Sequence, residues 1–249
     1  MDVSGPAAQV GQITFSPGAE EWIEFGPPGA RRRVGFHEYS TLYAVPGLYE
    51  KVFYETLGMS SATEVVRLYH EALTASGLDS AGQRVLDFGA GNGMAGERLA
   101  ALGIGAVVGL DLEPVAREAA LRDRPGVYED YMVADLGGLS ADEFEGLRAR
   151  DFTAVLAVAS VGVGHIPPEV LARGLDLLGP GGLFAFPIAT GLLPDAADDV
   201  ARRTGYPAFF AGLFADGRAE KLAERAYSHR RSTDGSDHPA LAVVGRMVG

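Results

Sequence analysis

The stretch VLDFGAGNG, Val85 to Gly93, decides the fold. Val85–Phe88 reads as a buried strand, Gly89, Gly91 and Gly93 as a tight turn, and Met94–Leu102 as a helix. Glycines in such a turn permit positive φ and let a ligand press against the backbone. The N–H groups that open the helix attract a negative group. A glycine loop alone also fits nicotinamide-dinucleotide enzymes. Here the third position of their GxGxxG pattern falls on Met94, and Asp87 stands just before the loop. An acid there would repel a pyrophosphate but can accept a hydrogen bond from an ammonium group.

The same texture continues downstream. Short apolar strands are expected at Ala106–Leu110, Tyr131–Ala134, Ala154–Ala159 and Leu183–Ile188. Helical stretches fill the gaps at Pro114–Arg122, Ala141–Arg150 and Pro168–Leu178. Near-continuous apolar strands alternating with helices imply an α/β fold, a mostly parallel sheet with helices on both faces. Glu224–Ser232 and Ala240–Val248 read as two closing strands. The turn formers Thr233–Pro239 between them predict an antiparallel C-terminal hairpin, which brings the total to seven strands.

Upstream, residues 1–35 are rich in Gly and Pro, with one short strand-like piece at Trp22–Phe25. The run Arg31-Arg32-Arg33 is expected to be a solvated loop. Tyr39, Tyr43, Tyr49, Phe53 and Tyr54 crowd the next segment. A helix over about 61–75, ended by Gly77, precedes the first core strand. The expected organisation is therefore an N-terminal arm and helical lid, 1–76, followed by the α/β core, 77–249.

Two further acids end strands. Asp111 closes VVGLD, 22 positions after Gly89, where a carboxylate can accept both hydroxyls of a ribose. Asp135 closes VAD, where it can take an adenine amino proton. Any one of these acids alone would be an ordinary cap or loop carboxylate. Three successive strands ending in Asp beside a glycine loop point to a nucleoside site.

With these motifs the chain resembles the class I S-adenosylmethionine-dependent methyltransferases, over roughly residues 60–249. VLDFGAGNG is similar to their first motif, GLDLEP to their second, VADL to their third and LLGPGG to their turn before strand five. The resemblance implies a Rossmann-like core and S-adenosyl-L-methionine as cofactor, with S-adenosyl-L-homocysteine as product. It places Asp87, Gly89, Ala90, Gly91, Asn92 and Gly93 around the methionine moiety. Asp111 and the adjoining Leu112 fall at the ribose, Asp135 and Leu136 at the adenine, and Ala157–Ala159 on the sulfur side. One departure is visible: after strand four the chain has SVGVGHIPP, with one His and a longer Gly spacer than the family's run.

The segment before the first core strand folds over the ligand edge in that family, so residues 37–54 become a candidate lid. His37, Tyr39 and Tyr43 are its candidate acceptor-binding residues, since aromatic faces suit a planar acceptor and a methylsulfonium. His165, Glu50, Tyr49 and His229, in that order, are the candidates to remove an acceptor's proton. Methyl transfer from a sulfonium is an SN2 in-line displacement, so alignment and proton management are what a protein must supply. The five histidines show no ligand spacing, and no metal is expected.

Composition bounds the partners. Lys+Arg number 21 and Asp+Glu 33 in 249 residues, a formal charge of −12, and there is no cysteine. That charge repels phosphate backbones, so nucleic acid is not expected. The missing thiol removes disulfides and thiolate chemistry. The N-terminus lacks the basic start and apolar run of a signal peptide, and glycines and prolines interrupt the uncharged stretch 177–194, so neither export nor membrane insertion is expected and the cytoplasm is the default. Expected partners are a small-molecule acceptor and, at most, a second copy as a homodimer. The function expected is methylation of a small, aromatic or natural-product acceptor on O, N or C, with indole C-methylation among the options. The alternatives are a cofactor-binding regulatory protein without turnover, a nicotinamide-dependent oxidoreductase, and a protein methyltransferase, for which no recognition domain is visible.

Overall fold

A computed structural model describes residues 10–17 and 20–248, so the extreme N-terminus on which the signal-peptide reading rests lies outside the described residues. The chain begins with a small antiparallel sheet, β1 (Thr14–Phe15), β2 (Trp22–Phe25) and β3 (Arg32–Gly35), in the order β1-β2-β3. Only β2 was legible beforehand. Two of the three arginines, Arg32 and Arg33, lie in β3 rather than in a loop. Arg31 bonds Thr14 Oγ1 at 2.7 Å and the Glu24 carbonyl at 2.8 Å, and Arg33 pairs with Glu24 at 2.8 Å while lying 3.9 Å above the Trp22 ring. The basic side chains tie the strands together on the exposed face, while Ile23, Phe25 and Val34 are buried beneath them.

Helix α1 (Tyr39–Ala44) and a π-helical segment, Glu50–Thr56, come next, then α2 (Ser61–Ala75). The core alternates β4 (Arg84–Phe88), α3 (Met94–Ala101), β5 (Ala106–Asp111), α4 (Pro114–Asp123), β6 (Asp130–Val133), α5 (Ala141–Arg148), β7 (Ala154–Leu156), α6 (Pro168–Leu175) and β8 (Leu183–Ala189). Short helices α7 (Asp199–Arg203) and α8 (Tyr206–Ala215) lead to the hairpin β9 (Ala219–Arg231) and β10 (Asp237–Met247). The seven strands lie in the order β6-β5-β4-β7-β8-β10-β9. β10 is antiparallel to both neighbours, and the β4–β8 ladders are parallel.

The central strands are apolar on both sides because both sides are covered. Leu86, Val108, Val155, Phe184, Phe186 and Val243 pack against α6 and α8 on one face. Val85, Val107, Leu156, Ala185 and Val244 pack against α2 and α3 on the other. Each fully buried Leu or Phe contributes roughly 1.5–3 kcal/mol. Adjacent strand positions thus serve opposite cores, which is why no polar alternation shows in the sequence.

Several boundaries differ from the sequence reading, and three of them have a cause visible in the structure. β7 stops at Leu156 because the chain turns: Ala159 sits at φ +56°, and Tyr206 donates its hydroxyl to the Gly162 and Ile166 carbonyls, fixing the loop that follows. β9 starts at Ala219, five residues earlier than expected, because the exposed edge tolerates its charged residues. The hairpin loop shrinks to 232–236 because Asp237 and His238 still pair, with Arg231 and Arg230.

Candidate functional site

Strand order reverses between β4 and β7, the place where open α/β sheets leave a crevice at their carboxyl ends. A cavity of about 630 Å³ lies there. It gathers Asp87, Gly89, Ala90, Gly91, Asn92, Asp111, Leu112, Asp135 and Leu136 from the strand tips and His37, Tyr39, Tyr43 and Tyr49 from the lid. His165 lines it from the loop after β7.

The glycine loop is packed closely by its neighbours. A Cβ on Gly89, at φ +74°, would lie 2.4 Å from the Ser160 Cβ, and one on Gly91, at φ +54°, 2.6 Å from the Tyr43 hydroxyl. Asp111 fixes the same loop: its Oδ2 accepts from the Gly91 N–H at 2.8 Å and its Oδ1 from the Glu113 N–H at 2.9 Å. Each oxygen keeps a further lone pair for an outside donor. Burial pushes the Asp111 carboxyl up despite these bonds.

Asp87 is 1% exposed. Its Oδ2 accepts from the Tyr128 hydroxyl at 2.7 Å, while Oδ1 is buried without a hydrogen-bond partner. Burial, with Asp111 adding repulsion, pushes its carboxyl up to about 7 against the pull of Tyr128. Such an acid awaits a donor, preferably a cationic one. Asp135 is exposed and turns its Oδ1 onto the Gly137 N–H at 2.9 Å, forming a local turn at the cavity rim.

Two residues expected at the cofactor lie behind it. Gly93, at φ +93°, opens α3 and packs under Arg124 and Tyr128. Of the expected run 157–159, Val158 and Ala159 line the cavity, joined by Ser160, while Ala157 is buried in the sheet core.

The lid closes as a run of rings. Tyr39 stacks on Tyr43 with centroids 5.7 Å apart, Tyr43 meets Tyr49 at 4.9 Å, and Tyr49 meets Phe53 at 4.7 Å. Arg122 of α4 donates to the Tyr43 carbonyl at 3.0 Å and holds α1 down. Glu50 lines neither this cavity nor its neighbour. Its Oε1 accepts from Asn92 at 2.8 Å and Arg124 at 3.0 Å, so it ties the lid to the glycine loop.

A second cavity, about 530 Å³, adjoins the first. His37, Tyr39, Tyr49, Ala159 and His165 line both. Tyr39 and His165 meet on that wall, hydroxyl to Nε2, at 2.9 Å. The Val163 carbonyl lies 3.1 Å from His165 Nδ1. A carbonyl only accepts, so Nδ1 carries the proton and Nε2 accepts from Tyr39. Burial lowers the His165 imidazole, backed by nearby His37, and pushes the Tyr39 phenol up to about 12. His229 lines the second cavity and not the first, and burial takes it down to about 4.

Sequence reasoning missed Tyr128, Tyr131 and Arg124. Tyr131 donates to the Gly91 carbonyl at 2.6 Å, and Arg124 to the Asn92 carbonyl at 2.8 Å. A signal existed for the first: an acid at a buried strand tip needs a donor, and Tyr128 lies just before β6, the strand two positions away in the sheet.

No family model matches the chain. It is 34% identical over 166 residues to the ribosomal protein L11 methyltransferases of Pseudomonas paraeruginosa and Pseudomonas aeruginosa. The match covers 64% of this chain and 48% of theirs, so the chain spans about half the length of the curated relatives it matches. Among solved structures, a SAM-dependent methyltransferase from Anabaena variabilis superposes with a TM-score of 0.54 over 85% of this chain and 93% of its own, at 19% identity. The N-methyltransferase NodS of Bradyrhizobium japonicum, solved with S-adenosyl-L-homocysteine, gives 0.51 over 75% and 85%, at 18% identity. Strand order, glycine loop and these likenesses agree: the chain carries the class I S-adenosylmethionine-dependent methyltransferase fold.

Proposed function

We propose that the chain transfers a methyl group from S-adenosyl-L-methionine, held in the first cavity, to a small acceptor held in the second. The observation that carries this reading is the shared wall: a tyrosine–histidine pair stands where two ligand-sized cavities meet. The residues of the first cavity fit the donor. The unpartnered Oδ1 of Asp87 suits its ammonium, the free lone pairs of Asp111 suit ribose hydroxyls, and Asp135 with Leu136 suits adenine. Gly89 and Gly91 let Ser160 and Tyr43 pack directly against the loop, which shapes the floor of that cavity. When bound, the donor supplies an electrophilic methyl on sulfur. The protein's part is to align the acceptor with it and to take up a proton through Tyr39 and His165.

Calorimetry should detect binding of S-adenosylmethionine and little or no binding of NAD. Tight NAD binding with no response to the methyl donor would sink the reading. Asp111→Ala should weaken donor binding by about 1–3 kcal/mol, the range for charge-assisted hydrogen bonds. Unchanged affinity would remove Asp111 from the site.

A protein acceptor is the second reading, favoured by the name of the curated relatives. The cavity's size and aromatic walls favour a small acceptor instead. Mass spectrometry for a methylated product decides between them, with indoles and phenols in one arm and purified ribosomal protein L11 in the other.

A further inference from the structure

We infer that the second cavity is built for an uncharged, flat acceptor whose hydrogen-bonding group is read by His229. This rests on the methyl-transfer reading above. The first observation is a β-bulge. His238 opposes Arg230 and Pro239 opposes Ser228, so His229 is the extra residue on β9 with no partner across the hairpin. A bulge re-aims the side chain it carries. Here the aim is fixed twice over. The His229 carbonyl accepts from the Ser60 N–H at 2.9 Å, and its ring Nδ1 lies 2.6 Å from the Ser61 hydroxyl, which is itself 2.6 Å from that of Tyr227. Nδ1 is therefore occupied, and Nε2 is the ring atom left to meet a ligand.

The second observation is the charge of the walls. Among the described lining residues Arg230 alone carries a permanent charge. Its guanidinium is already committed to both carboxylate oxygens of Glu21, at 2.9 and 2.5 Å, and lies 5.3 Å from the Phe36 ring. His238 is bonded to the Ser232 hydroxyl through Nε2. An ionic acceptor would lose its hydration here without meeting an unpaired counter-charge. The rest of the wall, including Phe36, Phe53, Met59, Leu192 and Pro239, offers flat or apolar surface. Four of the chain's five histidines, His37, His165, His229 and His238, line this cavity. Among the described residues they form no metal cluster.

The test titrates indole, and separately indole-3-carboxylate, into protein loaded with S-adenosylhomocysteine, read by ligand-observed NMR. Indole should bind, with the carboxylate about tenfold weaker or more, the cost of one unpaired charge. Ala240→Phe, which fills the cavity from β10, should remove indole binding. His229→Ala should weaken it about fivefold to tenfold and His229→Gln should recover part, as for one hydrogen bond. Affinity for S-adenosylhomocysteine should hold in every variant and serves as the check that each is folded; Thr190→Trp, from the cavity rim, fills the same space if Ala240→Phe does not fold. Tighter binding of the carboxylate, no binding of indole, or indole binding indifferent to the filling variants would overturn the inference. Failure of the wild type to bind S-adenosylhomocysteine would instead overturn the methyl-transfer reading.

Discussion

Asp87→Asn is expected to yield a protein that is more stable above pH 7 and has lost most of its affinity for S-adenosylmethionine. The carboxylate is 1% exposed, one of its oxygens has no partner, and its titration is pushed up to about 7 by burial. In the unfolded chain the same group titrates near 3.9. Between these two values the unfolded state has released its proton while the folded state keeps it. Stability therefore falls as pH rises through this window, and the full penalty stands above it. Asparagine keeps the shape and can still accept from Tyr128, but it carries no charge to bury. Chemical denaturation at pH 8 should show a gain of about 1–3 kcal/mol for the variant, and little gain at pH 4. Equal or lower stability at pH 8 would mean that Asp87 is already satisfied.

The same substitution removes the counter-charge for the ammonium group. Calorimetry at pH 8 should show donor binding weakened by about 2–4 kcal/mol, the cost of leaving a desolvated charge unpaired. In the wild type, affinity should climb as pH rises toward 7, because the ammonium is best met by the ionised form. Stability and binding thus move in opposite directions at one atom. That opposition separates a binding carboxylate from a structural one, which would lose stability on replacement.

Much of this was legible because it is local. A strand, a glycine turn and an acid at the tip are contiguous in VLDFGAGNG, and a strand ending in an acid recurs at Asp111 and Asp135, so the core topology and much of the first cavity's lining follow from short windows. What depends on long-range geometry was not legible. His229 reads as one histidine in a polar strand until the hairpin register shows it to be the bulged residue. Glu50 reads as a candidate base until Arg124, 74 positions away, is found bonded to it. Ala157 drops out of the expected run 157–159 because the chain turns at Ala159, ahead of a loop that Tyr206, on a helix near the far end of the chain, fixes. The small N-terminal sheet escaped notice, apart from β2, because its strands are two to four residues long, too short to show a clear alternation.

The tyrosine–histidine pair carries the second large expectation. At neutral pH the Tyr39 phenol keeps its proton and donates it to the bare Nε2 of His165. When an acceptor releases a proton to the phenol oxygen, the phenol proton can pass to Nε2 in the same motion, so neither a free phenolate nor a free imidazolium has to form first. His37 is exposed, with its ring 5.2 Å from that of His165, and offers the proton a way to solvent. His165→Ala should lower kcat by about 10²- to 10⁴-fold, the usual worth of a positioned base. Tyr39→Phe, which preserves the stack on Tyr43, should do nearly as much. Both should bind S-adenosylmethionine as the wild type does. The wild-type rate should rise with pH along a limb lying below the ordinary histidine value of 6.5, because burial lowers His165, and that limb should vanish in His165→Ala. Equal losses of donor affinity and turnover would show that the pair only shapes the wall between the cavities. A full rate in both variants would mean that the acceptor arrives with no proton to give up.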